Sequence, residues 1–300
     1  MAKVLVRVLL RRPKPQNRVV VVVLSKNIPV SVIVVTKNEE DRIGACLEAL
    51  RGFDDVWVVD SGSGDRTCEI ALEHGVRVQS FVWDGGYPKK RQWCLDHLEL
   101  RYERVFFVDA DEVVTQDLVD EIAALNWACA GYFVRGLYVF EGSVLRYGLR
   151  NNKLALFDRG KMSFPVVDDL GLSGMGEIEG HYQPCRLSGF QRENIGQLNE
   201  VLLHNAYDNA AAWQERHLRY AQWEAGMDAK GIWPSENSVL RRFLKCVFRA
   251  VPFRSFVAFL HSYIFKAGFL DGMAGYRFAC SRASYYRMIS NASKEMASSI

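Results

Sequence analysis

The chain has little with which to staple itself. Its seven cysteines, from Cys46 to Cys280, include no C-x-x-C pair and are odd in number. A disulfide framework is therefore disfavoured, and reducing surroundings with thiols serving as small buried hydrophobes are expected. No apolar run reaches the roughly 18 to 20 residues that cross a bilayer. The run VVVVVL (19–24) follows basic residues as a signal peptide would, but it is too short, lacks a small-residue cleavage site and gives way to Lys26, Asn27 and Pro29. There is no internal repeat, no low-complexity segment, no G-x-G-x-x-G after the first strand and no P-loop, so dinucleotide and P-loop chemistry are excluded. A net charge of +3 gives no argument for nucleic acid. What remains is an ordinary globular composition, 49% hydrophobic and 24% charged over 300 residues, long enough to bury a real core.

From Val30 onward, short β-branched runs alternate with helical patterns, the signature of βαβ units and a largely parallel sheet. Strands are expected at 31–35, 56–60, 76–81 and 104–112, and helices at 39–50, 65–75, 87–98 and 115–125. Gly75 closes the second helix, and Thr115 is placed to cap the fourth. Residues 131–190 read as mixed strands and loops, including 131–140 and 153–160, and the last hundred residues as helices rich in aromatics and arginine. The expected division is an amino-terminal extension of unclear role (1–27), a catalytic domain (28–205) and a carboxyl-terminal helical region (206–300).

Three polar clusters fall at the carboxyl ends of three separate strands: TKNEED (36–41), DSGSGD (60–65) and DADE (109–112). Ligands bind along that edge of an open α/β sheet, so the clusters are expected to converge in one crevice. Asp109 and Asp111 follow the apolar run Val105 to Val108. Two carboxylates one residue apart beyond a buried strand can share Mg²⁺ or Mn²⁺, which bridges diphosphate oxygens and stabilises a departing nucleoside diphosphate. The small residues of SGSGD permit close backbone approach, and Asp65 can cap the following helix.

Over about the first 125 residues, VIVVTKNEEDRIGACLEAL, VWVVDSGSGDRTCEIA and FFVDADE resemble the family 2 inverting glycosyltransferases, whose fold is named glycosyltransferase A. The match is closest to the branch associated with lipopolysaccharide core biosynthesis, and the segment 267–288 is similar to the end of that branch. The resemblance implies a Rossmann-like, mostly parallel sheet flanked by helices, and transfer of a hexosyl or heptosyl group from a nucleotide-sugar to a lipid-linked or lipopolysaccharide-core glycan. It implies that Glu39 and Asp60 contact base and ribose, Asp109 the ribose or metal, and Asp111 the metal. Lys89, Lys90 and Arg91 fall where that branch carries basic residues near the diphosphate. The expected donor set is therefore Thr36, Asn38, Glu39, Asp60, Ser61, Lys90, Arg91 and Asp109, with Asp111 acting in catalysis as well as at the metal.

An inverting transfer needs one general base for the acceptor hydroxyl. Asp168, Asp169, Glu177, Glu179 and His181 lie in the glycine-punctuated stretch 166–184. The family often carries a His-Glu or Glu-Asp pair there, whereas this chain reads E-I-E-G-H. Glu177 or Glu179 is expected as base, with His181 assisting the metal or phosphate.

In 239–270, Phe243, Leu244, Val247, Phe248, Phe253 and Phe256 interleave with Arg241, Arg242, Lys245, Arg249 and Arg254. Charges interrupt the run too often for a spanning helix, but the pattern suits a membrane interface, so a cytoplasmic protein peripheral to the inner membrane face is expected. The alternatives are a sugar-phosphate nucleotidyltransferase, which would carry a glycine- and basic-rich loop where TKNEED stands, and a non-catalytic nucleotide-sugar-binding membrane adaptor. The intact set of Asp60, Asp109 and Asp111 argues against the adaptor.

Overall fold

The computed structural model describes residues 28–172, 175, 178, 182–205, 210–231, 233 and 239–298. The expected extension over 1–27 lies outside them. In chain order the first half carries β1 (Ser31–Thr36), α1 (Ile43–Ala49), β2 (Asp55–Asp60), α2 (Thr67–Glu73), β3 (Arg77–Ser80), α3 (Lys90–His97), β4 (Arg104–Asp109), β5 (Glu112–Val114) and α4 (Gln116–Ala123). There follow β6 (Gly131–Phe140), β7 (Ser143–Val144), β8 (Asn151–Asp158), β9 (Met162–Ser163), β10 (Cys185–Arg186) and β11 (Ile195–His204). The helices α5 (Ala210–Lys230), α6 (Val239–Ala250), α7 (Arg254–Leu260) and α8 (Gly272–Ser298) complete the chain, with a π-helical turn at His261–Phe265 and a 3₁₀ turn at Gly268–Asp271 between the last two.

The main sheet runs β3-β2-β1-β4-β8-β6-β11-β5, parallel across its first four strands and mixed beyond, with β7 hydrogen-bonded to β6. Central β1 is buried at all six positions, as a strand covered on both faces must be. Its side chains alternate between two cores. Val32 and Val34 pack with Ile43 and Leu47 of α1 and Leu118 and Ile122 of α4, while Ile33 and Val35 pack with Cys94 of α3.

The sheet is curled, and the chain's own connectivity requires it. β4 and β5 are separated in sequence only by Ala110 and Asp111, yet β8, β6 and β11 lie between them in the sheet. Four steps across a flat sheet would span about 19 Å. Three residue steps reach at most about 11 Å. The segment from Asp109 to Glu112 therefore closes an arc, and side chains from β8, β6 and β11 are brought round it.

The expected helix at 39–50 begins later, at Ile43. The reason is that Glu39 N donates to Thr67 Oγ1 (2.7 Å) and Glu40 N to Asp65 Oδ2 (3.2 Å), which holds the TKNEED segment against the next loop. Asn38 turns the chain there with φ +55°. Thr115 caps α4 as expected, its hydroxyl accepting from Leu118 N at 3.3 Å. The strand expected to run through 112 ends at Asp109, because the chain leaves β4 to form β5 at the far edge.

In the carboxyl-terminal region, Ala221 and Ala225 of α5 pack on Ile289 and Ala292 of α8. Trp223 and Met227 of α5 form a second small core with Val167, Met175, Ile178 and Tyr182. Phe278 of α8 meets Tyr138 and Phe140 of β6 at ring-centroid distances of 4.9 and 5.7 Å, so the helices are docked on the curled end of the sheet.

Candidate active site

Register brings the three polar clusters together. Thr36 is paired with Asp60, and Val35 with both Val59 and Asp109, so the carboxyl ends of β1, β2 and β4 stand side by side. The loops after β1 and β2 then knit. Asn38 N donates to Ser63 Oγ at 2.8 Å, and Gly64 N donates to Asn38 Oδ1 at 2.9 Å. Ser61 N donates to Thr36 O at 3.1 Å. Asp60 is buried, and its Oδ2 accepts from Gly62 N and Ser63 N, each at 2.9 Å; the carboxylate shapes the turn as well as ending the strand. The Thr36 hydroxyl, buried at the end of β1, has no hydrogen-bond partner among the described residues.

Glu39 lies on the same edge. It accepts from Arg42 Nε at 2.6 Å, and Arg42 reaches across to Asn205 O at 2.9 Å, tying the first loop to the end of β11. Burial pushes the Glu39 carboxyl up to about 7, against the opposing pull of Arg42.

The segment closing the arc carries the strongest electrostatics. Asp109 is held by Arg91 on one oxygen and by Lys153 Nζ, at 2.7 Å, on the other. Burial acts to raise its pKa, but Lys153 and Arg91 overcome it and hold the carboxyl far below the usual carboxylate range. Lys153, on β8, also bonds the fully buried Glu112 at 2.6 Å, and Asp109 N donates to Glu112 Oε2 at 2.9 Å. Glu112 is shifted the other way, raised by burial despite Lys153. Of the two carboxyls on one ammonium, Asp109 is the firmly ionised one.

Asp111 differs from both. Its side chain is buried, and Oδ1 has no partner among the described residues. Oδ2 lies 3.4 Å from Nε2 of His204, the last residue of β11. His204 is fixed from its other sides, by stacking on Tyr138 at 5.4 Å between centroids and by Nδ1 lying 3.0 Å from Asn151 Nδ2. Burial works against imidazolium there, but Asp111 and Glu112 outweigh it and raise the His204 pKa.

The basic residues after β3 reach the same edge, each with a protein partner. Lys90 is fully buried and donates to Thr36 O at 2.9 Å; Arg91 holds Asp109. Lys89 donates to Asp169 Oδ2 at 2.6 Å and lies over the Trp83 ring. Glu177, Glu179 and His181 lie outside the described residues. Their flanking neighbours Met175 and Ile178 are buried against α5, while Asp168 pairs with Lys230 and Asp169 with Lys89.

Two carboxylate roles have thus separated. Among the described residues no group of three His, Cys, Asp or Glu side chains forms a ready metal cage. The open, buried oxygen of Asp111 with His204 beside it is nevertheless a donor set that suits Mg²⁺ or Mn²⁺, ions that take one or two protein ligands and complete their shell with phosphate oxygens and water. Asp109, with both oxygens on cations, is the poorer ligand of the pair. Sequence reasoning did not reach Lys153 or His204. Lys153 directly precedes the apolar run LALF and His204 directly follows VLL, positions that look like ordinary strand ends, and only the curl of the sheet gives each its partner.

Residues 31–186, just over half of the chain, match the family described as Glycosyl transferase family 2. An uncharacterised glycosyltransferase of Rickettsia typhi is 35% identical over 97 residues, covering 31% of this chain and 31% of that protein. The lipopolysaccharide core biosynthesis glycosyltransferase LpsC of Rhizobium meliloti is 28% identical over 144 residues, covering 45% of this chain and 52% of that one. The chain thus spans about half or less of the length of these curated relatives. Among solved structures, S. aureus TarS 1-349 superposes with a TM-score of 0.46 at 16% identity, covering 91% of this chain and 92% of that one. Glucosyl-3-phosphoglycerate synthase from Mycobacterium tuberculosis, crystallised with Mn²⁺, uridine diphosphate and glucosyl-3-phosphoglycerate, gives 0.40 at 20% identity, covering 69% and 81%. With its three strand-end clusters inside the matched span, the chain belongs to glycosyl transferase family 2.

Proposed function

We propose that this protein is a metal-dependent inverting glycosyltransferase that moves a hexosyl or heptosyl group from a nucleotide-sugar to a lipid-linked or lipopolysaccharide-core glycan at the cytoplasmic face of a membrane. The observation that carries the reading is Asp111: a buried carboxylate whose Oδ1 is unpartnered, at the strand edge where the β1 and β2 loops converge. A divalent ion, when bound, offsets the charge that develops on the departing diphosphate.

The chain's own residues supply the rest. Thr36, Asn38, Glu39, Asp60 and Ser61 line the donor's nucleotide side, and their mutual hydrogen bonds set that edge before the donor arrives. Lys90 and Arg91 act from beneath: Lys90 fixes the Thr36 carbonyl and Arg91 fixes Asp109. Lys153 keeps Asp109 ionised and in place. On the acceptor side, Glu177 or Glu179 takes the hydroxyl proton as the oxygen attacks the anomeric carbon, and the bond from that carbon to the diphosphate oxygen breaks. The likeness to LpsC supports the acceptor class.

Membrane association is supported by α6. Val239, Leu240, Phe243 and Leu244 are 57 to 74% exposed, with Arg242 exposed among them. The opposite side of α6 is anchored, Phe248 on Tyr286 and Arg249 over the Trp233 ring. Arg249 and Arg254 also engage Asp228, at 3.8 and 3.0 Å, so these two arginines serve the helical packing and the lipid-facing role falls to Arg242 and the apolar ridge. No helix among the described residues is long and apolar enough to cross a membrane.

The test is release of nucleoside diphosphate from a panel of nucleotide-sugars with Mg²⁺ or Mn²⁺ and a lipopolysaccharide-core acceptor. Release with at least one donor, abolished by chelation and by Asp111→Asn, is expected. Turnover insensitive to both changes would overturn the metal role.

A further inference from the structure

A second feature lies on the opposite side of the curled sheet. Strand alternation puts Tyr138, Lys153 and His204 on the face that meets Asp111, and Arg135, Leu137, Val201 and Leu203 on the other. On that other face is an open groove of about 430 Å³, lined by Arg135, Arg146 and Arg150 over an aliphatic floor of Leu137, Val144, Val201 and Leu203. The rest of its lining is Asn199, so no acidic side chain contributes. None of the three guanidinium groups makes an ion pair with an acid among the described residues; Arg150 donates only to Arg146 O, at 3.3 Å.

We infer that this groove binds the phosphate headgroup of a membrane lipid. Clustered arginines without a carboxylate repel one another until an anion joins them, and the planar guanidinium fork matches phosphate oxygens two at a time. The aliphatic floor selects an amphiphile over a free polyanion. The surroundings point to a lipid source as well. The loop carrying Arg146 and Arg150 is fastened to the segment before α8: Arg146 N and Tyr147 N both donate to the Asp271 carboxylate at 2.9 Å, and Gly148 N donates to Lys266 O at 2.8 Å. That segment exposes Phe265 (78%) and Leu270 (55%), and the first turn of α8 exposes Met273 (65%), all of which suit the headgroup boundary. The loop that supplies two of the arginines is thus tied by its backbone to this apolar knob. The inference deepens the membrane reading above, on which it rests, by adding a headgroup site apart from α6.

The experiment is co-sedimentation of the full chain with vesicles of phosphatidylcholine alone or mixed with phosphatidylglycerol, for wild type, Arg135→Ala/Arg150→Ala and Phe243→Ser/Leu244→Ser. Titration with glycerol phosphate and with nucleoside diphosphate plus Mn²⁺ runs in parallel. At about fivefold per arginine near an anionic surface, the double arginine variant is expected to bind mixed vesicles roughly 25-fold more weakly. Its nucleotide binding should be unchanged, which shows that it folds. If that variant binds mixed vesicles like wild type while the α6 variant releases them, the groove inference falls and the membrane reading stands. If wild type ignores vesicle charge altogether, both fall. Glycerol phosphate binding that needs the arginines, without any preference for mixed vesicles, would overturn the lipid source.

Discussion

Replacing Lys153 by Met tests how the site is held together. The ammonium sits between two carboxylates, at 2.7 Å from Asp109 and 2.6 Å from Glu112. After the change Asp109 keeps Arg91, while Glu112, with no exposed surface, keeps the Asp109 backbone N–H and His204 Nδ1 at 3.7 Å, a weaker cation than the ammonium it loses. The loss therefore falls on Glu112. Removing one partner of a buried pair costs about 3–5 kcal/mol, because the other charge stays behind uncompensated. In a domain of this size that is a fall of very roughly 6–20 °C in Tm. Thermal and urea unfolding of the single variant give the cost. The discriminating measurement is the cycle with Glu112→Gln, which removes the stranded charge while preserving a hydrogen-bond acceptor. Lys153→Met/Glu112→Gln should recover at least half of the loss, a coupling above about 1 kcal/mol. A single-variant cost under about 1 kcal/mol, or strictly additive costs, would refute the argument that Lys153 neutralises a buried pair.

Other outcomes follow from separate features. Asp111→Asn should leave Tm within a few degrees of wild type and lower nucleoside diphosphate release by at least about a hundredfold, and more than a tenth of wild-type rate in steady-state assays would count against it. His204→Gln, which loses the contact with Asp111 Oδ2, should weaken Mn²⁺ binding read by calorimetry in the presence of nucleoside diphosphate; unchanged affinity would place His204 outside the metal shell. Burial raises the Glu224 carboxyl, which accepts from Tyr285 Oη at 2.9 Å. The folded state then holds a proton that the unfolded chain releases first, so stability falls as pH rises from the unfolded value toward the folded one. Glu224→Gln should accordingly be more stabilising at pH 8 than at pH 4, read by urea unfolding at both, and an equal effect at both would be contrary. A Cβ on Gly275 would collide with Gly268 O, so Gly275→Ala should force α8 off the preceding turn and destabilise the fold by about 1–3 kcal/mol in unfolding measurements; an unchanged stability would be contrary.

The parallel half of the sheet was legible because each of its signals is local. VIVV and FFV are continuous apolar runs that only a doubly covered strand accommodates, and TKNEED, DSGSGD and DADE each follow such a run. Strand register then did the rest, bringing Thr36, Asp60 and Asp109 level. The mixed half was legible only in part: 131–140 and 153–160 read as strands and correspond to β6 and most of β8, but their pairing and β11 were not. β11 interleaves Gln197, Asn199 and Glu200 with its apolar residues, and no pattern in IGQLNEVLLH announces that it will pair with β6 on one side and β5 on the other. Lys153 and His204 acquire meaning only from that pairing.

The same pairing explains why a D-x-D triplet is read too symmetrically from sequence. Asp109 and Asp111 look equivalent, two carboxylates one residue apart and both available to a cation. The end of β4 sends them to different surroundings, because Asp109 is still in the strand and Asp111 is past it. Asp109 ends β4 and falls onto Arg91 and Lys153, which satisfy both of its oxygens. Asp111 lies past the strand, where the arc closes, and its neighbour is an imidazole from β11 at 3.4 Å with Oδ1 left open. A divalent ion placed on Asp109 would have to displace two cations already seated; on Asp111 it would meet an uncommitted oxygen. Pairs of acids pushed apart by their environments take different jobs. Asp109 is held by two cations, and under the proposed function Asp111 is the group that meets the metal, so Asp109→Asn should cost stability as well as rate, whereas Asp111→Asn should cost rate almost alone. Equal losses of stability in the two variants, measured side by side by urea unfolding, would show that the carboxylates share one role after all.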